Sequence, residues 1–111
     1  MPSPFIPDGY TRETTLPACE LWDEIQIAYR PMAAADFAEY LAKSKGLDEA
    51  GWTRLVCDLI AAKVTSWNIA GPSGEAVPVS VDSVKRLVNP LVLKLWTLLC
   101  GAVESGDTAK N

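Results

Sequence analysis

The sequence predicts an α+β fold, with a small antiparallel sheet packed against about four α-helices. Three observations predict it. Residues 23–30, DEIQIAYR, put Ile25, Ile27 and Tyr29 on one side of an extended chain and Glu24, Gln26, Ala28 and Arg30 on the other. That period of two belongs to a strand with one buried and one wet face. Trp52, Leu55, Val56, Leu59 and Ile60 recur at helical spacing, the strongest period-3.6 signal in the chain. Residues 64–99 then read as strand, turn, strand, short helix and a very apolar helix. A length of 111 residues suits one domain, expected over residues 1–103, with the polar residues 104–111 as a disordered tail.

Taken in order, the chain opens on an arm carrying Pro2, Pro4 and Pro7, each of which fixes φ and removes a donor. Phe5 and Ile6 are the expected anchors of this arm. The Thr-rich residues 10–16 suit an edge strand that Pro17 ends. Leu21 and Trp22 are placed to fold back on the apolar face of the 23–30 strand, which Pro31 stops.

Residues 33–45 read as a helix with Phe37, Tyr40 and Leu41 on one face, and Gly46 beyond its end. Asp48 is the expected N-cap of the helix that runs to Lys63. So short a break implies an antiparallel helical pair.

Residues 64–79 suggest a hairpin. Thr65, Trp67 and Ile69 share one face, Gly71-Pro72-Ser73-Gly74 form an exposed, mobile tip, and Pro78 makes the second arm an edge. Trp67 is expected to be buried. Ser80 caps a short helix over residues 81–87. Asn89-Pro90 then reads as N-cap and first helical position of the last helix, residues 91–100.

Composition narrows the function classes. Hydrophobic residues make up 49% of the chain and charged residues 22%, enough to bury a core. The net charge of −4, without a Lys/Arg cluster, argues against nucleic-acid binding and against anionic membranes. The absence of His removes the commonest general base and metal ligand. Cys19, Cys57 and Cys100 lie far apart without a CxxC pair, so buried free thiols are expected rather than a zinc or redox site. The first residues lack the charged start and apolar run of a signal peptide, and the apolar run of residues 91–103 is too short to span a bilayer.

Candidate chemistry is sparse. Asp23-Glu24 would point to opposite faces of a strand, and Asp48-Glu49 sits where a helix dipole favours negative charge. The 71–74 glycines lack the Lys-Ser/Thr and helix start of a phosphate loop. Cys57 has no imidazole to activate it. No cofactor or metal is expected.

The segments Thr65-Ser66-Trp67-Asn68 and Gly74-Glu75-Ala76-Val77-Pro78-Val79, the Ser80-initiated helix, and the final helix from Asn89-Pro90 to Cys100 together resemble the tail assembly chaperone-like family of tailed bacteriophages. Tyr29-Arg30-Pro31-Met32 resembles the strand end that leads those proteins into their helices. The likeness covers about two thirds of the chain.

It implies a non-enzymatic protein of the host cell cytoplasm that binds tape measure protein, keeps it soluble and assists tail tube protein to polymerise. Some members are made in two forms by a ribosomal frameshift. A small structural or adaptor component of the phage tail, retained in the virion, is the alternative. A small enzyme is the third reading.

The last helix is apolar nearly all round, and a helix of that kind is buried on more than one side. Leu91, Val92, Leu95, Trp96 and Leu98 are therefore expected to contact a partner, either a client or a second copy of the chain. The competing expectation is that the N-terminal half covers this helix completely.

Overall fold

The structure, a computed structural model, describes residues 5–101. It is an α+β fold with the order β1 (Arg12–Leu16), β2 (Ile25–Tyr29), α1 (Ala34–Ser44), α2 (Glu49–Lys63), β3 (Val64–Trp67), α3 (Val81–Lys85) and α4 (Asn89–Leu99). The sheet order is β1-β2-β3, antiparallel throughout, with β2 in the centre. Residues 104–111, expected as a tail, lie outside the described residues.

β2 forms as its period predicts. Ile25, Ile27 and Tyr29 are buried while Gln26 is exposed. On β1 the partners Leu16, Thr14 and Arg12 lie opposite them on the same face, and only Leu16 is fully buried. Trp22 packs against the core, with its indole Nε1 donating to the Pro17 carbonyl at 3.2 Å, whereas Leu21 stays exposed. The N-terminal arm is held by Arg30, whose Nη1 donates to the carbonyls of Pro7 (3.0 Å) and Tyr10 (3.3 Å). Phe5, one of its expected anchors, is exposed.

The expected hairpin over residues 64–79 is not a pair of strands. β3 pairs with β2, while residues 76–79 make one isolated bridge, Ala70 to Ala76, and a bond from Val77 N–H to the Ile69 carbonyl at 3.1 Å. Pro78 has no N–H to continue a ladder.

The face assignment on β3 changes too. Val64 lies opposite Tyr29 and Trp67 opposite Ile27, both on the core face although three residues apart. A bulge at Thr65 makes this possible, because one extra residue re-phases the alternation. Thr65 is exposed, and its Oγ1 donates to the Ala28 carbonyl at 3.0 Å. Trp67 is half-buried rather than buried, its indole donating to the Val77 carbonyl at 2.7 Å. Pro72, Ser73 and Gly74 at the turn are exposed, as expected.

The helices start and stop largely where local chemistry dictates. Asp48 accepts from Gly51 N–H at 2.8 Å, and Ser80 accepts from Ser83 N–H at 3.1 Å, each satisfying an orphan donor of a first turn. Gly46, at φ +75°, supplies the left-handed residue after α1. On α4 the N-cap is Val88, not Asn89, so Pro90 falls at the second helical position. The missing N–H costs nothing there, since the first four helical donors have no partner within the helix.

α2 is the centre of the molecule. Val56, Cys57 and Ile60 are buried in one cluster with Val84 of α3, Leu91, Val92, Leu95 and Leu99 of α4, and the inner face of the sheet. Cys57, one residue off the expected stripe, is buried because α2 is flanked by α3 and α4 as well as α1, which widens its apolar arc. Cys19 and Cys100 are exposed free thiols, contrary to expectation.

α1 and α2 run antiparallel. Asp36 near the start of α1 meets Lys63 at the end of α2 at 2.9 Å, and Trp52 near the start of α2 donates to the Tyr40 hydroxyl at 2.6 Å. The Asp36 carboxylate also accepts from Ala33 N–H at 2.8 Å, closing the first turn of α1. The Lys63 hydrogen bond first, and the Ala33 N–H second, hold its pKa below the ordinary Asp value.

A depressed folded-state pKa means the stabilisation is complete above the unfolded value, near 4, and is lost as pH falls through the folded one. Asp36→Asn is therefore expected to cost about 1 kcal/mol at neutral pH, a figure kept small because the pair is partly solvated. The gap in urea midpoint between the two proteins should close as pH falls below the Asp range. A gap that stays constant into acid would show that the carboxylate charge contributes nothing.

Candidate interaction surface

The core places α4 with one side inward. Leu91, Val92, Leu95 and Leu99 are buried against α2 and its neighbours, Leu95 to 1% exposure. Leu91, Val92 and Leu95, expected as partner contacts, are thus core residues, corrected by the packing of α2 along the helix. Trp96 and Leu98, the other two expected contacts, are half-buried at the edge of the core. Leu93, not among the expected contacts, stands 42% exposed on the outer side.

Exposed apolar side chains lie on both α1 and α4, which meet at Tyr40 and Trp96. Tyr40 is the buried side chain of α1, and its ring stands 4.7 Å from that of Trp96 and 5.5 Å from that of Phe37, both tilted. Such tilted contacts suit the aromatic quadrupole. Phe37 is 38% exposed, and Leu41, one turn further along α1, is 48% exposed. Leu93 lies one turn before Trp96 on α4. Phe37 and Leu41 on α1, and Leu93 with the half-buried Trp96 on α4, thus put an apolar ridge on the two helices that the Tyr40–Trp96 contact joins.

This ridge was half legible in sequence. The i, i+3, i+4 spacing of Phe37, Tyr40 and Leu41 identifies one face of α1. Its neighbours Ala34, Ala35, Ala38 and Ala42 are too small to extend the burial, so Tyr40 is the one side chain of the helix that is buried.

A concavity of about 560 Å³ lies by the N-terminal end of α4. Leu21 and Trp22, Ile69 and Pro72, and Val88 and Leu91 line it, with Asp23 and Arg86 at its rim. The outer face of the sheet is polar, formed by Glu13 and Thr15, Gln26 and Ala28, and Ser66 and Asn68. Asn68 fastens this face at one end, its Oδ1 accepting from Gln26 N–H at 2.9 Å.

Burial raises the Cys57 pKa, against a smaller pull from Lys85, and so keeps the thiol protonated. Among the described residues no three His, Cys, Asp or Glu side chains are grouped to hold a metal ion. Among them too, no helix is long and apolar enough to cross a membrane.

No protein-family model matches the chain, and no curated protein or solved structure is significantly similar to it.

Proposed function

We propose that this chain is a non-enzymatic binding protein of a phage or prophage tail module, acting in the host cell cytoplasm. It binds tape measure protein and assists tail tube assembly. The observation that carries the reading is the ridge of exposed Phe37, Leu41 and Leu93 with the half-buried Trp96. The likeness of residues 64–100 to tail assembly chaperone-like proteins supplies the family. An apolar ridge on a small domain marks an interaction site, and an amphipathic client helix docks its apolar face on such a surface. A shallow ridge gives a modest contact, which suits a client that must be released when the tail forms.

The test is binding of tape measure fragments to the wild type, to Phe37→Asp and to Leu93→Asp. Both side chains are exposed, so the variants should keep the wild-type circular dichroism. Binding is expected to weaken by at least about tenfold in each, the scale of a lost apolar contact near the centre of an interface. Full binding by folded variants would remove the ridge from the reading. Purified particles make a second test. A chaperone is absent from them, whereas retention of the chain would favour the structural or adaptor role.

A further inference from the structure

The sheet has two edges, and they are finished differently. Beyond β3, the edge is distorted by the Thr65 bulge and flanked by the 76–79 segment, tied through Trp67 Nε1 to the Val77 carbonyl and Val77 N–H to the Ile69 carbonyl. Bulges and covering segments are the usual protections of an edge. β1 has neither. It is regular over five residues, contains no proline, and no other strand among the described residues pairs with its outer side.

The backbone direction of β1 follows from its neighbour. Gln26 turns its N–H and C=O toward the β3 side, giving the N–H to Asn68 Oδ1 and accepting from Asn68 N–H. Arg30 N–H likewise reaches the Lys63 carbonyl. Main-chain groups alternate along an antiparallel strand, so Ile25, Ile27 and Tyr29 face β1 and bond with Leu16, Thr14 and Arg12. Glu13 and Thr15 therefore direct their N–H and C=O groups outward, and both residues are exposed.

We infer that this edge pairs with the β1 strand of a second copy, antiparallel about a two-fold axis at Thr14, making one continuous sheet across both chains. The register is selected by the residues present. Centred on Thr14, the outward groups of Glu13 meet those of Thr15 in the other copy, and the reverse. Both pairs are of the hydrogen-bonded kind, with Thr14 opposite itself in the closer, non-bonded position.

Every neighbouring register is worse. Centring on Glu13 or on Arg12 sets like charges directly opposite. Centring on Thr15 places Glu13 against Pro17, which has no N–H to give. The axis stands perpendicular to the sheet, so both apolar faces stay on the helical side and both polar faces stay in water. A second copy brings the same two outward-facing residues, Glu13 and Thr15, in the reverse order, so the edge is self-complementary in this register. The ridge of Phe37 and Trp96 plays no part in the contact.

The contact is short, in the class of interfaces that bury less than about 1,200 Å² and associate weakly. Sedimentation velocity from about 10 μM to about 1 mM spans that class. The wild type should pass from monomer to dimer over this range. Thr15→Pro deletes an N–H that points away from β2 and serves no bond among the described residues. It should keep the wild-type circular dichroism while weakening the dimer at least about tenfold.

Amide hydrogen exchange of the unaltered protein tests the register without any variant. Exchange at Glu13 and Thr15 should slow at the higher concentration, with that at Phe37 and Leu41 unchanged. A wild type that stays monomeric overturns the proposal. So does a folded Thr15→Pro that dimerises equally well, or exchange at Glu13 and Thr15 that ignores concentration.

Discussion

Truncating Leu95 to alanine is expected to remove about 2–5 kcal/mol from the unfolding free energy, the range for buried leucines. Leu95 is 1% exposed and belongs to the same buried face of α4 as Leu91, Val92 and Leu99. That face packs against α2, whose Val56, Cys57 and Ile60 are themselves buried. Neighbours held from two helices cannot close the cavity, so both the transfer and the cavity terms apply. A domain of this size has roughly 5–15 kcal/mol in all, and the loss should appear as a large fall in urea midpoint. Leu95→Asp would bury an unpaired charge and is expected not to fold at all. Leu93→Ala, on the outer side of the same helix, should stay within about 1 kcal/mol of the wild type. A loss below about 1 kcal/mol at Leu95 would place it on the surface and return it to the partner contacts expected from sequence.

Tyr40→Ala is expected to release α1 from the domain. Tyr40 is the buried side chain of that helix, accepts from Trp52 Nε1 at 2.6 Å and stands against the Trp96 ring at 4.7 Å. Losing a buried aromatic costs about 3–5 kcal/mol where the fold must stay intact. Here the remaining ties of α1 to α2 centre on the partly solvated Asp36–Lys63 pair, so the helix should open before the domain unfolds.

The expected readout is local. Amides of α1 should exchange through a low-energy opening while those of α2 and β2 keep their protection. Tyr40→Phe keeps the ring and removes the acceptor of the Trp52 indole, and should cost about 1 kcal/mol. If α1 in Tyr40→Ala exchanged no faster than α2, the helix would be an integral part of the core instead.

The two variants differ because the sequence signal behind each residue differs. The Leu95 helix is apolar nearly all round, broken by Lys94 and Thr97, so its period says little about which side faces in. The Tyr40 helix has a distinct apolar face, yet only its middle residue is buried. Periodicity reports what a helix can bury, and the available partners decide what it does bury.

Much of the fold was legible at short range. β2 followed from the alternation of Ile25, Ile27 and Tyr29, and α2 from the spacing of Trp52 to Ile60. The caps at Asp48 and Ser80 and the left-handed Gly46 set helix ends through bonds that span three or four residues. These signals act between neighbours in sequence, where the side chains themselves carry the energy.

Tertiary structure alone decided the rest. It paired β3 with β2 rather than with residues 76–79, because β2 offered a free ladder and Pro78 did not. It inserted the Thr65 bulge so that Val64 and Trp67 share the core face, a re-phasing invisible to strict alternation. It turned Leu91, Val92 and Leu95 inward and left Phe37, Leu41 and Leu93 in water, because α2 has room for one side of α4 and only one residue of α1. The residues determined how much apolar surface each element carries. Which part of it meets solvent depends on contacts between elements far apart in the chain, and these form only when the whole domain closes.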